Sequence, residues 1–330
     1  MIGLIIGIFI SIPLSYLLRK YIKGGQCTIK HSMKDKVIII TGASSGLGKY
    51  AMLDLVSSGA KIIMGCRSEL KAKEAIISLT EEQKKQVDFI RLDLCDFQSI
   101  VSFVKQIKEK YPKIDILMNN AGAQPTKFNV TKDGFESFIQ GNYLGMALLS
   151  NLLLKHFNEN EGKIINVSSI AHFWSDLNES NYDVLLDNVK MNKKYFSSEF
   201  GKFNLYCTSK LLVMLFTEHL SKYCEKSYPN VKIASVHPGI VNTNFTRFLE
   251  DYPLINLIFK LVNPIWVFLS KTALDGAQTQ LYLSYLPFND FISGGYYTDC
   301  HLSSPSKKIS NEELKKKVLD WTISSLSKYH

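Results

Sequence analysis

From position 36 onward, short apolar runs rich in β-branched residues alternate with longer amphipathic stretches. The apolar runs, which predict strands, lie at 37–40, 61–64, 87–92, 114–118, 163–167, 231–236 and 294–297. The amphipathic stretches, which predict helices, lie at 47–58, 68–79, 97–110, 133–156, 203–225 and 271–286. Nearly continuous apolar strands separated by helices are typical of a parallel sheet covered on both faces. The pattern therefore predicts one doubly wound α/β domain over residues 35–305, with a mainly parallel sheet of seven strands.

The N-terminal residues 1–18 form an uncharged apolar run, which is followed directly by Arg19, Lys20 and Lys23. A helix of this length spans about 27 Å, close to the hydrocarbon thickness of a bilayer. A cleaved signal peptide would carry basic residues before the run, and a buried helix of a soluble protein would have a polar face. The pattern favours an uncleaved transmembrane anchor at 1–18, and the positive-inside rule then places the remaining chain in the cytosol. Residues 19–34 are assigned to a basic linker.

The net charge of +9 is concentrated at the two ends of the chain, and the part between them is nearly neutral. A nucleic-acid-binding protein should carry a concentrated basic face within the fold, so this class is excluded. The six cysteines are scattered without a CxxC pair, which predicts neither a metal site nor a dense disulfide framework. In the basic tail, residues 306–330, apolar side chains at near-helical spacing predict a helix docked on the domain, with membrane-surface contact as the alternative. These side chains are Leu314, Val318, Trp321 and Leu326.

The first predicted strand leads directly into a glycine-rich turn. Glycine permits a sharp turn and close approach of the backbone to a pyrophosphate, and the following helix N-terminus offers unpaired N–H groups at a positive dipole end. Such a turn alone is common in loops, but its place between the first strand and the first helix favours dinucleotide binding. The predicted cofactor-binding residues are Gly42, Ala43, Ser44, Ser45, Gly46, Leu47 and Gly48.

The end of the second predicted strand indicates which dinucleotide binds. An NAD site places Asp or Glu there, about 20 residues beyond the glycines, to bond the ribose hydroxyls. This chain has Cys66 at that position and Arg67 after it. Because arginine can pair with a 2′-phosphate, the sequence favours NADP(H) and assigns Arg67 to the cofactor site. The alternative is that Arg67 is an ordinary surface cation.

The candidate catalytic pair is Tyr206 and Lys210, in an apolar helical stretch. A spacing of four places both side chains on one face of a helix. A nearby ammonium stabilises phenolate, so Lys210 is predicted to lower the pKa of Tyr206 from its reference value of about 10. Tyr206 could then exchange a proton with a carbonyl or alcohol oxygen near neutral pH.

Further motifs accompany this pair, and together they resemble the short-chain dehydrogenase/reductase family. The motifs are TGASSGLG (41–48), NNAG (119–122), GNYLG (141–145), NVSS (166–169), YCTSK (206–210) and HPG (237–239). Other stretches are similar to the retinol dehydrogenase-like branch of that family: GCRS (65–68), RLDL (91–94), NVSSIAH (166–172), VHPGIV (236–241), GAQT (276–279) and GGYYTDC (294–300). The resemblance implies a Rossmann domain that binds a nicotinamide cofactor.

The resemblance also implies catalytic roles for individual residues. Tyr206 would be the general acid in carbonyl reduction, and Lys210 would lower its pKa and hold the nicotinamide ribose. Ser169 would hydrogen-bond the substrate oxygen, with the adjacent Ser168 as the alternative. Asn142 would anchor a proton relay through water, although it could also satisfy helix backbone groups.

The remaining cofactor residues follow from the same resemblance. Asp93 and Leu94 would lie beside the adenine. The stretch supporting the ribose and the sheet would be Asn120, Ala121 and Gly122, and the loop against the nicotinamide carboxamide would contribute Pro238, Gly239 and Thr243. His172 and His237 lie within family motifs, so packing roles are preferred to metal binding or acid–base chemistry.

Two regions depart from the family pattern or vary within it. The interval between Ser169 and Tyr206 is long and contains a polar segment, residues 175–202, expected near the substrate entrance; GNYLG carries Tyr143 where the branch commonly has His. Residues 252–270 are apolar and aromatic and occupy the family's variable substrate-binding position. They are predicted to form a hydrophobic lid, with a second transmembrane helix as the alternative.

The predicted function is a membrane-anchored, NADP(H)-dependent oxidoreductase that interconverts a carbonyl and an alcohol on a hydrophobic retinoid, steroid or lipid aldehyde. A hydroxysteroid or fatty-acyl carbonyl reductase is the alternative within the enzyme class. A non-catalytic NADPH-binding membrane adaptor is the alternative from another class. The expected location is the endoplasmic reticulum membrane, with the catalytic domain facing the cytosol. A homo-oligomer is left open, and no nucleic-acid partner or metal is expected.

Overall fold

The computed structural model of the chain describes residues 17–123, 127–182, 186, 195–242 and 266–329. Its centre is an eight-stranded sheet in the order β3-β2-β1-β4-β5-β6-β7-β8. The strands are β1 Val37–Thr41, β2 Lys61–Cys66, β3 Val87–Arg91, β4 Ile116–Asn119, β5 Gly162–Val167, β6 Val231–His237, β7 Tyr296–Thr298 and β8 His301–Ser303. Neighbouring strands from β3 to β7 are parallel, and β8 alone runs antiparallel, against β7.

The helices of the described ranges connect and cover these strands. The α-helices are α1 Gly46–Ser57, α2 Glu69–Ala75, α3 Glu81–Lys84, α4 Phe97–Lys110, α5 Ser137–Ile139, α6 Gly145–Leu153, α7 Glu199–Ser227, α8 Ala273–Gly276, α9 Gln278–Tyr285 and α10 Glu312–Leu326. A π-helical turn, Gln140–Leu144, joins α5 to α6, and a 3₁₀ helix, Ile170–Trp174, follows β5. The expected doubly wound α/β fold is thus confirmed.

The central strands β1, β2, β4, β5 and β6 are buried on both faces, as their apolar runs predicted. Ile39 in β1 and Leu117 in β4 belong to a core beneath α4, α6, α7 and α10. Their neighbours Ile38 and Met118 belong to a second core beneath α1, α2 and α9. Successive side chains of a strand point to opposite faces, so an unbroken apolar run supplies both cores.

The sheet order sets the location of any ligand site. Strands β2 and β3 extend to one side of β1, whereas β4 and the following strands extend to the other. The chain reverses direction across the sheet between β1 and β4, and open α/β sheets bind ligands at the carboxyl ends of strands at such a switch point. The glycine-rich turn after β1 lies at this edge.

The expected count of seven strands was wrong, because β8 adds an eighth. Its three residues are exposed or half-buried and lack an apolar run, so their sequence carries little strand signal. The helix expected in the basic tail is confirmed as α10, with Leu314, Val318, Trp321 and Leu326 all buried.

The N-terminal anchor falls almost entirely outside the described residues, which begin at position 17. Residues 17–23 are helical. Within the described ranges, no helix combines the length and the apolar character needed to cross a bilayer. The expected lid, residues 252–270, is described only from position 266 onward. Residues 266–269 are helical.

Candidate active site

The turn after β1 has a backbone that only small residues allow. Gly42 has φ +69°, a left-handed value that favours glycine. A methyl group added to Gly48 would lie 2.5 Å from Nδ2 of Asn120 and 2.8 Å from the Gly42 carbonyl oxygen. The first turn of α1 therefore packs directly on the end of β4. Because glycine has no side chain, the backbone of this turn can be approached closely at the switch point. Such a surface fits a pyrophosphate.

The N-terminus of α1 has chemistry suited to an anion. Ser45 is the N-cap residue, and its side chain makes no capping hydrogen bond within the described residues. The first turn of α1 contains no acidic residue, and it carries Lys49. The free N–H groups and the positive end of the helix dipole are thus available to a phosphate group.

Cys66 ends β2 directly beneath this turn. Burial raises the pKa of its thiol, and hydrogen bonds with Ser44 and with turn amides oppose that rise. Position 66 therefore supplies no carboxylate for the ribose hydroxyls, in contrast to an NAD site. The packed thiol explains how an uncharged residue fits here.

Arg67 follows, exposed, at the carboxyl end of β2. Burial raises the pKa of the Cys95 thiol to about 11; Asp93 adds to the rise and Arg67 opposes it. The charges of Arg67 and Asp93 both affect the Cys95 thiol. The two residues predicted on the adenine side of the cofactor therefore lie in one region. Among the described residues, Arg67 forms no ion pair, so its guanidinium is available to an anionic group.

The loop after β4 is fastened to the end of β1. The Asn120 side chain donates through Nδ2 to the Thr41 carbonyl (2.9 Å), and the Ala121 N–H donates to the Thr41 hydroxyl (2.9 Å). The buried Oδ1 of Asn120 has no hydrogen-bond partner in the described chain. An orphaned buried acceptor beside the glycine-rich turn calls for a donor from a ligand. The structure thus brings the predicted turn and the 120–122 stretch together, and the contribution of Thr41 was missed because its role is visible only in the folded chain.

Asp93 and Leu94 lie after β3, as predicted. The Asp93 N–H donates to the Ser99 hydroxyl (3.0 Å), and Oδ1 accepts from the Cys95 N–H (3.0 Å), which fixes this loop. Leu94 is buried against α6, where a methyl group added at Gly145 would lie 2.3 Å from its carbonyl oxygen. Leu94 therefore has a packing role in addition to its place in this loop.

Asn142 is buried in the π-helical turn and is fully engaged. Its Oδ1 accepts from the Ala123 N–H (2.9 Å), and its Nδ2 donates to the Ala123 carbonyl (3.0 Å) and to the Ser209 hydroxyl (3.2 Å). Asn142 thus ties the loop after β4 to α7. Single π-turns within helices are frequent at functional sites. The water relay stays a prediction, since these three contacts are to protein groups.

The neighbouring Tyr143 faces away from this loop. Its ring stacks on Trp321 of α10 at a centroid distance of 6.2 Å, and its hydroxyl bonds the Thr322 hydroxyl at 2.6 Å. The departure from the family pattern noted at this position is thus accommodated by the C-terminal helix.

Tyr206 and Lys210 lie one turn apart in α7. The Lys210 Nζ donates to the Val167 carbonyl (3.0 Å) at the end of β5 and lies 5.8 Å from the centre of the Tyr206 ring. Burial lowers the pKa of Lys210 to about 8. Loss of solvation also raises the pKa of Tyr206, which a hydrogen bond with the Ser169 side chain opposes. The net direction is opposite to the lowering predicted from the spacing, because desolvation outweighs that hydrogen bond and the ammonium is directed at a backbone carbonyl.

The contacts distinguish Ser169 from Ser168. The Ser168 hydroxyl is buried and donates to the Lys210 carbonyl at 3.0 Å. The Ser169 side chain is half-buried, caps the 3₁₀ helix by accepting from the Ala171 N–H (3.2 Å), and meets the Tyr206 hydroxyl. Ser169 is therefore the serine whose hydroxyl could share a substrate oxygen with Tyr206.

His172 and His237 are engaged in the fold. The Nδ1 of His172 bonds the Ser169 carbonyl (2.7 Å), and its Nε2 accepts from the Ser306 N–H (3.1 Å). The Nδ1 of His237 accepts from the Ile170 N–H (3.2 Å), and burial, with the nearby Lys271, lowers the pKa of His237 to about 4. Both rings are held neutral next to Ser169, consistent with packing roles. The described residues contain no metal-binding group of three or more candidate ligands.

The loop after β6 carries the predicted nicotinamide-side residues. Pro238 and Gly239 follow β6 at the same sheet edge, and Gly239 has φ +90°. Thr243 lies outside the described residues. No sequence pattern pointed to Lys271, because the packing of its side chain against Gly239 arises only from tertiary contact.

Exposed aromatic side chains follow Ser169 in the chain, and one more lies close to them. Phe173 and Trp174 follow it in the 3₁₀ helix, and Phe203 of α7 lies with its ring centre 6.2 Å from that of Trp174. Trp174 is 59% exposed, which is high for so large an apolar side chain. The polar segment expected at the substrate entrance begins here, and Lys308 of the C-terminal region bonds the carbonyl of Ser175.

Comparison with known proteins shows consistent similarities. Residues 36–183 match the family model described as short chain dehydrogenase. Human "Retinol dehydrogenase 14" is 34% identical over 319 residues, covering 92% of this chain and 88% of that protein. Human "Retinol dehydrogenase 12" is 32% identical over 309 residues, covering 93% and 90%.

Solved structures show the same fold. A protein from Mycobacterium paratuberculosis superimposes with a TM-score of 0.69 at 24% identity, covering 92% of this chain and 98% of that one. Salutaridine reductase from Papaver somniferum gives a TM-score of 0.57 at 22% identity, covering 79% and 99%.

Proposed function

Because this chain belongs to the short-chain dehydrogenase/reductase family, in its retinol dehydrogenase-like branch, we propose that it interconverts a carbonyl and an alcohol on a hydrophobic substrate with NADP(H). The observation that carries the proposal is the contact of Ser169 with Tyr206, with Lys210 one turn away, beside the glycine-rich switch point. An adaptor that only bound cofactor would not require this arrangement.

The residues at the switch point fit a nicotinamide dinucleotide. The N-terminus of α1, the glycine-rich turn and the unpartnered Oδ1 of Asn120 would hold its phosphates and adjoining ribose. Arg67, with Cys66 in place of an acid, supports the 2′-phosphate form. When bound, the reduced cofactor supplies a hydride to the carbonyl carbon.

The protein residues supply orientation and the proton. Ser169 donates a hydrogen bond to the substrate oxygen, and Tyr206 donates the proton to that oxygen during reduction. Lys210, whose ammonium donates to the Val167 carbonyl at the end of β5, holds the nicotinamide ribose. Asn142 keeps the loop after β4 and helix α7 in register, so the donors stay aligned.

A hydrophobic substrate is supported by the aromatic surface beside Ser169. Phe173 and Trp174 lie in the 3₁₀ helix that Ser169 caps. Phe203 lies one turn before Tyr206 in α7, and all three aromatic side chains expose large apolar areas. Apolar walls with a few convergent polar groups are the usual composition of small-molecule sites. A hydroxysteroid or fatty-acyl carbonyl reductase shares this requirement and differs only in the shape of the substrate.

A substrate panel tests the proposed function. The purified full-length protein should reduce retinal, steroid ketones or long-chain aldehydes with NADPH, with kcat/KM at least about tenfold above that for short hydrophilic carbonyls. The rate of NADPH oxidation at 340 nm measures each reaction. Preference for a short hydrophilic carbonyl would contradict the hydrophobic substrate, and absence of turnover with every carbonyl and alcohol would favour the adaptor.

We also propose membrane anchoring by residues 1–18, with 19–34 as the linker, 35–305 as the catalytic domain and 306–330 as its C-terminal tail. The uncharged run followed by Arg19, Lys20 and Lys23 supports this organisation, with the domain on the cytosolic side of the endoplasmic reticulum membrane. The anchor would bring the enzyme to substrates that partition into lipid.

Deletion of residues 1–18 should move the protein from the membrane fraction to the soluble fraction, because the apolar run supplies the insertion free energy. The deletion keeps Arg19, which bonds the carbonyls of Phe268 and Ser270. Carbonate extraction followed by immunoblotting measures the partition. Retention of the protein lacking 1–18 in membranes would place the anchor elsewhere.

A further inference from the structure

Lys271 holds the loop after β6 through its backbone. Its N–H donates to the Ile240 carbonyl (2.8 Å), and its carbonyl accepts from the Asn242 N–H (2.8 Å). These two bonds form a parallel bridge between Val241 and Lys271. The loop that starts at Pro238 is therefore clamped on its far side by a residue outside the sheet.

The side chain of Lys271 runs beneath the same loop. A methyl group added to Gly239 would lie 2.6 Å from both Cδ and Cε of Lys271 and 2.9 Å from its Nζ. The Lys271 side chain is only 7% exposed, and its ammonium forms an ion pair with Asp299. A buried lysine stem in direct contact with Gly239 fixes how far this loop can move.

Asp299 joins this ion pair to the beginning of the domain. It has φ +48°, an uncommon value for a residue with a side chain. A methyl group added at Gly24 would lie 2.1 Å from its carboxylate, and one at Gly25 would lie 1.8 Å from its carbonyl oxygen. The Gly25 N–H hydrogen-bonds the carboxylate. The glycines thus allow the N-terminal segment to pass directly over Asp299.

A second contact fastens the same segment next to Lys271. The Arg19 guanidinium donates to the Phe268 carbonyl (3.0 Å) and to the Ser270 carbonyl (2.6 Å), and it lies 3.9 Å from Asp275. We name residues 19–25 the N-terminal strap. Both ends of the strap contact the short stretch that ends in Lys271.

We propose that Lys271, paired with Asp299, is a positioning residue for the loop at Gly239, and that it couples the nicotinamide half of the cofactor site to the N-terminal strap. The inference rests on the proposed function, since it takes this loop as the nicotinamide contact. It predicts a selective effect: the glycine-rich turn and Arg67 serve the other half of the cofactor and are untouched by Lys271.

The test compares two probes in the full-length protein. NADPH contains the nicotinamide, whereas adenosine 2′,5′-bisphosphate has only the adenine half. Lys271→Met keeps the length of the stem and removes the ion pair, so we expect the Kd of NADPH to rise about tenfold while that of adenosine 2′,5′-bisphosphate stays unchanged. Calorimetric titration measures both, and Lys271→Arg should restore most of the NADPH affinity.

Two further variants keep the result interpretable. Asp299→Asn should weaken NADPH binding in the same direction, and combining it with Lys271→Met should add little, because both remove one ion pair. If Lys271→Met fails to fold, Asp299→Asn alone decides the outcome. Lys105→Met, on the exposed face of α4 and paired with Glu109, is the matched control and should change neither Kd.

The outcomes separate the two hypotheses. Unchanged NADPH affinity in both variants would overturn the positioning role, as would equal loss of both probes with a lower Tm, which indicates a general structural role. If the unaltered protein binds neither NADPH nor NADH, the proposed function itself fails and this inference falls with it.

Discussion

Replacing Tyr206 with phenylalanine should lower kcat for carbonyl reduction by about a thousandfold, the range associated with loss of a general acid. The substitution removes one oxygen and leaves the ring, which packs 6.3 Å from the Phe138 ring, so the site should keep its shape. The Kd of NADPH should change little. Single-turnover rates and NADPH titration measure the two quantities.

A tyrosine elsewhere on the same helix provides the control. Tyr223 lies towards the end of α7 and is 46% exposed, so Tyr223→Phe should leave kcat and the Kd of NADPH unchanged. Substantial turnover in Tyr206→Phe would contradict the assignment of Tyr206 as the proton donor. Joint loss of activity and NADPH binding would instead give Tyr206 a structural role.

Replacing Arg67 with glutamate should raise the KM of NADPH about a hundredfold and change the KM of NADH far less. The guanidinium is exposed at the end of β2, where a 2′-phosphate would gain one strong ionic contact, and glutamate would replace that attraction by repulsion. Initial rates at saturating carbonyl substrate, with each cofactor varied, measure the two constants.

Lys71→Glu is the matched control for this cofactor test. It makes the same change in net charge at an exposed position on α2, four residues along the chain. If Lys71→Glu has the same effect as Arg67→Glu, the cofactor responds to the general field of this surface. If Arg67→Glu changes both KM values equally, specificity for the 2′-phosphate does not reside at Arg67.

The strands that are buried on both faces were predictable from the sequence. Strands β1, β2, β4, β5 and β6 are almost entirely buried, so each appears in the sequence as an apolar run with few interruptions. β8 escaped prediction because His301 and its neighbours pair on only one side and remain accessible to solvent. A three-residue strand stabilised by a partner strand has almost no signature of its own.

The candidate site was predictable in its residues and less so in its electrostatics. Spacing alone put Tyr206 and Lys210 on one face of α7, and the structure agrees. The effect of burial on their pKa values depends on the surrounding volume, which no local spacing reports. Lys271 and the turn around Asn142 depend on contacts between distant segments, and a hydrophobic pattern does not encode them.

The neutral ring of His172 links the position of Ser169, the proposed catalytic serine, to the end of the chain. One nitrogen of that ring holds the Ser169 carbonyl, and the other receives the N–H of Ser306, the first residue of the tail that carries α10. Removing the tail would leave the buried Nε2 of His172 without its hydrogen-bond donor and would loosen the turn that positions Ser169. The smallest active fragment of this chain therefore extends well past the last strand, and a shortened version should lose only residues that precede the N-terminal strap.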